Sequence, residues 1–459
     1  SCLQFHIRSA AQVSRDPLGG NSSHIRIPMR STIVTLLVFT ALSASPAQLS
    51  IETAKEDIIR LCSPEFVGRG YFAEGNAKAG NYLKARFREI GLVPIAADIG
   101  QKFEIEQNVV DGLATLEVND RKLVLGRDFL PFATTGSGSN SRRTPIYYVR
   151  GGVFAPNKGI NDYAAVASER AILIFDDEVS AQVQADKSID PRSYSRAARI
   201  ANAGELRASA AIFLVKELMA STPYEKANVA VFDVLLSSLP TPVESVRFEV
   251  EASMEEYDAE NIIGMVKGTG ETDTSIIICA HYDHLGGFAD SLYFPGANDN
   301  ASGVGMLLTL ADYFATHPTK HSLVFIAFSG EDVGLIGSKY YSENPLKPLA
   351  TTKFLLNLDM VASGNDGVMA VGGDDFPEFY AILKAANESL ALGPLYKRWN
   401  APNGDHHFIS QKGVKTFFLY ANQGTQPYHS FQDVPATLDW KAFAHILALS
   451  KEFIAAIAN

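Results

Sequence analysis

From Asn261 to the C-terminus, apolar runs of strand length alternate with segments of helical periodicity, a pattern that restricts the chain to a layered α/β sheet. Ser275–Ala280, Ser322–Phe328, Phe354–Met360, Val368–Val371 and Lys415–Tyr420 read as strands. Ser302–Thr316, Phe376–Leu390 and Asp439–Ala458 read as helices. Upstream, residues 51–61 and Ala77–Ile90 carry apolar residues at helical spacing, and Gly91 ends the second helix. Residues 101–133 alternate in short strand-like runs, of which Lys102-Phe103-Glu104-Ile105-Glu106 is one. The polar stretch Gly136–Ser141 then marks a boundary. Beyond it a strand at Ala171–Phe175, a helix at Tyr194–Ala210 and a strand at Ala211–Val215 indicate a separate inserted unit. The expected division is an upstream segment over 1–47, the start of the main domain over 48–135, an inserted domain over 136–250, and the rest of the main domain over 251–459.

Five places set His, Asp or Glu at the carboxyl edge of an expected strand or in the loop beyond it, the edge where open α/β sheets bind ligands. The first strand runs straight into His281-Tyr282-Asp283-His284, and Asp283, two residues on, shares a side with His281. A carboxylate there suits support of a metal-bound imidazole. The second place, Gly296-Ala297-Asn298-Asp299-Asn300-Ala301-Ser302-Gly303, leads into a helix, and Asn300 or Ser302 can cap that helix while Asp299 ligates. The third, Ser329-Gly330-Glu331-Asp332, puts two acids after a buried strand, suited to one ligand and one general base, or simply to a solvated turn. In the fourth, Asp359 interrupts an otherwise apolar run, and a buried Asp is costly unless paired or metal-bound. The fifth, Pro427-Tyr428-His429-Ser430, is uninformative taken alone.

Together, in this order and spacing, the motifs resemble the co-catalytic zinc aminopeptidases, a family that also holds glutamate carboxypeptidases and glutaminyl cyclases. The likeness covers about 261–433, and the inserted unit more loosely resembles a protease-associated domain, α/β or β-rich. The resemblance implies a three-layer mixed-sheet zinc-exopeptidase fold and two Zn²⁺ per chain. His281 and Asp359 would hold one ion, Asp332 and His429 the other, and Asp299 would bridge both. Glu331 would be the general base for a water between the ions, Asp283 would orient His281, and Tyr428 would add a hydrogen bond to the developing oxyanion. Many members have Glu where this chain has Asp332, one methylene shorter. His284, His406 and His407 are further pocket candidates. The implied activity is that of an aminopeptidase acting on peptide N-termini. The alternatives are a glutamate-carboxypeptidase-like hydrolase, for which Arg398 is the nearby cation, a glutaminyl cyclase, and a relative that has lost its metals.

Charge narrows the partners. The formal net charge is −11, and no Lys/Arg-rich run appears, so nucleic acid is not an expected partner. Four arginines and one acid lie before residue 48. There, Met29-Arg30, the apolar stretch Ile33–Leu42 and Ser45-Pro46-Ala47 read as a cleavable signal peptide with a mature start near Gln48. The protein is thus expected to be secreted or periplasmic, without stable membrane insertion. Cys62 and Cys279 follow the signal. Cys279 reads as a buried thiol in an apolar strand, with a Cys62–Cys279 disulfide as the alternative.

Overall fold

A computed structural model describes residues 50–110, 114–176, 179–221, 225–288, 292–364, 366–422 and 427–459. The expected signal peptide lies outside these residues.

Eight strands build the main sheet: β1 (Gly100–Val109), β2 (Ser253–Val266), β3 (Ser275–His281), β4 (Ser322–Phe328), β5 (Thr352–Leu358), β6 (Val368–Val371), β7 (Leu395–Arg398) and β8 (Thr416–Ala421). Their order is β1-β2-β4-β3-β5-β8-β6-β7. The inner strands β4, β3, β5 and β8 run parallel, and antiparallel neighbours flank them on both sides. The chain passes from β3 to β4 on one side and then to β5 on the other. Reversals of this kind open a crevice at the carboxyl ends of the strands.

Alternation along the strands sets the layers. Ile276, Ile278 and Ala280 join a core with the helices α1 (Ile51–Leu61), α2 (Gly75–Ile90), α3 (Ser302–Thr316), α4 (Pro377–Ser389) and α5 (Trp440–Ala458). Ile277 and Cys279 point the other way, toward Tyr341 and Ile409 of two shorter helices, Ile336–Glu343 and His406–Gln411. The sheet therefore sits between two helical layers, as expected. Cys62 and Cys279 are both buried free thiols and form no disulfide.

Between β1 and β2 the described residues build two larger sheets besides the short pair Phe154–Ala155 and Ile160–Asn161. One has five strands, in the order Phe129–Pro131, Ala230–Leu235, Ala210–Val215, Ile172–Asp176, Ile146–Tyr148. The other has four: Arg121–Lys122, Thr115–Val118, Val246–Val250, Gly138–Asn140. Leu116, Val118 and Phe248 pack against Ile172, Ile212 and Phe232 in a core shared by the two sheets. The helix Arg196–Glu205 covers the opposite face of the five-stranded sheet through Ile200 and Ala203. This excursion leaves the main sheet after Val109, not at residue 136. The strands over 115–131 alternate as β1 does, so periodicity alone does not show which sheet they join. The Gly/Ser-rich stretch itself supplies an edge strand, Gly138–Asn140.

Candidate metal centre

The carboxyl ends of the parallel strands converge on one cluster. His281 is the last residue of β3, Asp359 follows β5, Glu331 and Asp332 follow β4, and His429 lies in the loop after β8. Asp299 stands just before α3. All are buried except Glu331, which faces a cleft of about 690 Å³ together with Asp332, Tyr428 and His429.

Asp299 is the centre of the cluster. Its Oδ1 lies 3.3 Å from Nε2 of His281, and its Oδ2 lies 3.2 Å from Nε2 of His429. The same His281 nitrogen is 3.5 Å from Asp359 Oδ1, and the same His429 nitrogen is 3.3 Å from Asp332 Oδ1. Two donor sets result, His281/Asp359 and His429/Asp332, with one oxygen of Asp299 in each. Metal–ligand bonds of about 2.0–2.1 Å in tetrahedral geometry place donor atoms about 3.3–3.4 Å apart, which is the spacing found. His429 Nε2 and Asp359 Oδ1 are buried and make no hydrogen bond, an expensive state unless a cation satisfies them. Donor atoms of His281, Glu331 and Asp359 also approach within 4.8 Å of one another.

The electrostatics agree. Burial works against charge on both histidines, yet the surrounding carboxylates outweigh it. They raise His281 well above its ordinary value and His429 to about 10. Burial likewise opposes charge on Asp299 and Asp332, but the histidines hold both below the usual carboxylate range. Burial pushes Glu331 well up, opposed by His281 and reinforced by Asp332, Asp405 and Asp359. The pocket is thus rich in negative charge and attracts protons or a metal cation alike.

A second layer of contacts orients these groups. The expected support of His281 by Asp283 takes a different form. The imidazole Nδ1 faces the main-chain oxygen of Asp283 at 3.3 Å, with the carboxylate 3.7 Å away. The Asp283 carboxylate instead accepts the main-chain N–H groups of Glu331 and Asp332 at 3.2 and 3.3 Å, which fixes the turn that carries both acids. His284 stands 2.8 Å through Nδ1 from Asp332 Oδ2. Asn300 Oδ1 accepts from Gly303 at 2.8 Å in the first turn of α3, although Ala301, not Asn300 or Ser302, takes the capping position. Tyr428 stacks on His429, ring centroids 3.8 Å apart. Burial and the nearby carboxylates push the Tyr428 phenol up, so it stays protonated and able to donate. His406 contacts the Ala401 carbonyl, and His407 contacts Gln411. Neither joins the cluster.

Sequence reasoning missed two supports. Asp433 accepts the main-chain N–H groups of Asn298 and Asp299 at 2.9–3.1 Å. Arg69 is fully buried and donates to five main-chain carbonyls, those of Leu61, Tyr282, Pro295, Gly296 and Asp299. Asp433 sits four residues past His429, so a carboxylate search around that motif could have found it. Arg69 has no sequence signal, because its partners are backbone atoms far along the chain.

Comparison with known proteins agrees with this architecture. Residues 261–454 match Peptidase family M28. The aminopeptidase YwaD of Bacillus subtilis is 36% identical over 107 residues, 23% of this chain and 22% of that protein. The probable lipoprotein aminopeptidase LpqL of Mycobacterium tuberculosis is 35% identical over 128 residues, 28% of this chain and 24% of that one. The aligned stretches thus span about a quarter or less of these relatives. Among solved structures, a zinc aminopeptidase from Bacillus subtilis aligns with TM-score 0.67 at 19% identity, over 90% of this chain and 97% of that one. An aminopeptidase from Aneurinibacillus sp. strain AM-1 aligns with TM-score 0.63 at 21% identity, over 90% and 94%. These likenesses establish the fold. Residues 261–454, the part of the chain that is similar to peptidase family M28, supply His281, Asp299, Glu331, Asp332, Asp359 and His429.

Proposed function

We propose that this protein is a zinc-dependent aminopeptidase with two metal ions per chain. The observation that carries the reading is the division of the Asp299 carboxylate between two His–Asp pairs at tetrahedral donor spacing. Imidazole and carboxylate donors suit Zn²⁺, and the relatives named zinc aminopeptidases share the fold. His281, Asp359 and Asp299 would hold one ion, and His429, Asp332 and Asp299 the other. Zinc there would supply Lewis acidity to the scissile carbonyl and to water.

The chain's own residues do the rest. Glu331 takes the proton from the attacking water as the new C–O bond forms. It then delivers that proton to the amine nitrogen as the C–N bond breaks. The Tyr428 phenol donates to the carbonyl oxygen as negative charge develops there. The loop carrying Glu331 is fixed by Asp283, so the carboxylate needs no reorganisation during the reaction.

The excursion over 110–252 is an accessory module in this reading. Its residues Phe132, Thr134, Arg196 and Ile200 face the cleft opposite Glu331 and Leu335, and would contact the substrate. Export by the 29–47 segment belongs to the same proposal. No helix among the described residues is long and apolar enough to cross a membrane.

The test is a panel of aminoacyl anilides and peptides with free or acetylated N-termini, assayed after chelation and zinc add-back. Cleavage that requires zinc and a free N-terminus is expected. Zinc-dependent cleavage of N-acylated substrates at an acidic C-terminal residue would replace this reading with a carboxypeptidase. Cyclisation of N-terminal glutamine without hydrolysis would replace it with a cyclase.

A further inference from the structure

His429 is held from the side away from the cluster by the accessory module. Its Nδ1 lies 3.0 Å from the main-chain oxygen of Ala220, and the Ala220 N–H donates to the main-chain oxygen of His429 at 3.0 Å. Two residues distant by 209 positions are thus joined by a reciprocal pair of contacts. Ala220 follows Ala210–Val215, a central strand of the five-stranded sheet. The contact therefore runs from the loop after that strand to the metal centre.

Three consequences follow from chemistry. A carbonyl oxygen can only accept, so Nδ1 must carry the proton. The neutral ring then presents a lone pair at Nε2, the nitrogen that faces Asp299 and Asp332. Second, His429 has φ of +51°, a left-handed conformation uncommon for a residue with a side chain. Such backbone persists where its surroundings over-determine it, and the Ala220 pair supplies two of the restraints. Third, Tyr428 stacks on the same ring. What fixes the ring therefore also places the phenol beside it.

We propose that Ala220 is a positioning residue for the metal centre: its main chain sets the tautomer and orientation of His429, so the accessory module forms part of the metal site rather than only a wall of the cleft. The inference rests on the di-metal reading above. It assigns the module a function in metal retention, separate from any contact with substrate.

The test compares wild type with Ala220→Pro and Ala220→Gly. Proline removes the N–H that His429 accepts and displaces the adjoining carbonyl, whereas glycine keeps both groups. Zinc content is measured by elemental analysis during graded chelation, alongside thermal unfolding. In wild type and Ala220→Gly two ions per chain are expected. In Ala220→Pro one of the two should dissociate about 10–100-fold more readily, the usual effect of losing an outer partner of a ligand, while the other is retained. Equal retention of both ions by a folded Ala220→Pro protein overturns the inference and leaves the di-metal reading standing. Wild type that binds no zinc overturns the reading itself. Nitrogen-15 spectra of histidine-labelled, zinc-loaded wild type test the contact without any variant. The inference requires His429 to show a protonated Nδ1 and a metal-bound Nε2, and the reverse tautomer refutes it.

Discussion

The Arg69 guanidinium donates to the main-chain oxygen of Asp299 at 3.3 Å, tying a fully buried cation to the residue whose carboxylate serves both histidines. Four more carbonyls, from Leu61, Tyr282, Pro295 and Gly296, accept from the same group. One side chain thereby joins the end of α1, the residue after β3 and the loop before α3. Replacement by alanine leaves several buried acceptors without donors, each worth about 1–3 kcal/mol. Arg69→Ala is expected to lower the thermal midpoint severely. Lysine should not rescue it, because an ammonium has three donors and no planar fork. Thermal unfolding of Arg69→Lys near the wild-type midpoint would show that the hub is not needed.

Removing metal should reveal how much stability the cluster draws from it. Four aspartate and histidine side chains besides Asp299 face one another across donor distances, and a cation that binds the folded chain alone stabilises it by mass action. At a thousand-fold excess over Kd that contribution is about 4 kcal/mol per ion. Chelation is expected to lower the unfolding midpoint by several degrees, and zinc, not magnesium, should restore it, because two of the donors are imidazoles. A midpoint indifferent to chelation counts against a metal centre.

Much of this was legible in the sequence for a definite reason. Ser302–Thr316, Ser322–Phe328 and Val368–Val371 match the observed elements because periodicity is unbroken and the ends are punctuated. His281, Glu331, Asp332 and Asp359 stood out as candidates because they end or follow an apolar strand, whereas Asp299 and His429 lie in loops and drew attention only through the combined motifs. What was hidden depends on long-range main-chain contacts. Arg69 acts on carbonyls more than 200 residues away, Asp433 on amides before α3, and Ala220 on a histidine from another sheet system. Hydrogen bonds to backbone constrain no residue type at the main-chain end and so leave no pattern to read there. The start of the excursion was hidden for a related reason, since alternation shows that a strand has two faces but not which sheet it enters.

His284 offers a test at the outer layer. Its Nδ1 lies 2.8 Å from the Asp332 oxygen that does not face His429. His284→Phe fills similar space and removes the contact. Metal affinity at the Asp332 side is expected to fall about 10–100-fold, read by chelator competition, with the His281 side unaffected. Unchanged affinity would assign His284 a packing role.

The accessory module has its own electrostatic anchor. Arg196 binds both oxygens of the buried Asp233 carboxylate at 2.7–2.8 Å and lies over the rings of Phe132 and Phe213. Arg196→Ala strips that carboxylate of a close cation, a change worth about 3–5 kcal/mol at buried pairs. The expected outcome is loss of stability together with a raised KM, since Arg196 also faces the cleft. Zinc content should remain at the wild-type level while the protein is folded. Unchanged KM would place the substrate away from this wall.

The sharpest separation of roles lies between two adjacent residues. Glu331 and Asp332 share a turn whose main-chain N–H groups both donate to Asp283, yet only Asp332 pairs with His429. Glu331→Gln is nearly isosteric and leaves Asp299, Asp332, Asp359 and both histidines in place. It should therefore keep the fold and both metals. In the proposed mechanism it removes the carboxylate that accepts a proton from water and returns it to the leaving amine. General acid–base catalysis is commonly worth about 10²–10⁴-fold, so kcat should fall by that range, toward the upper end because the group acts twice, with KM little changed. Asp332→Asn should behave otherwise, releasing zinc during chelation as its rate falls, because a neutral amide is a weaker ligand and a poorer partner for His284. If Glu331→Gln kept more than about a tenth of the wild-type kcat with both ions bound, the proton transfer would belong to another group, and Asp283 and His284 are the nearest alternatives on this edge of the sheet.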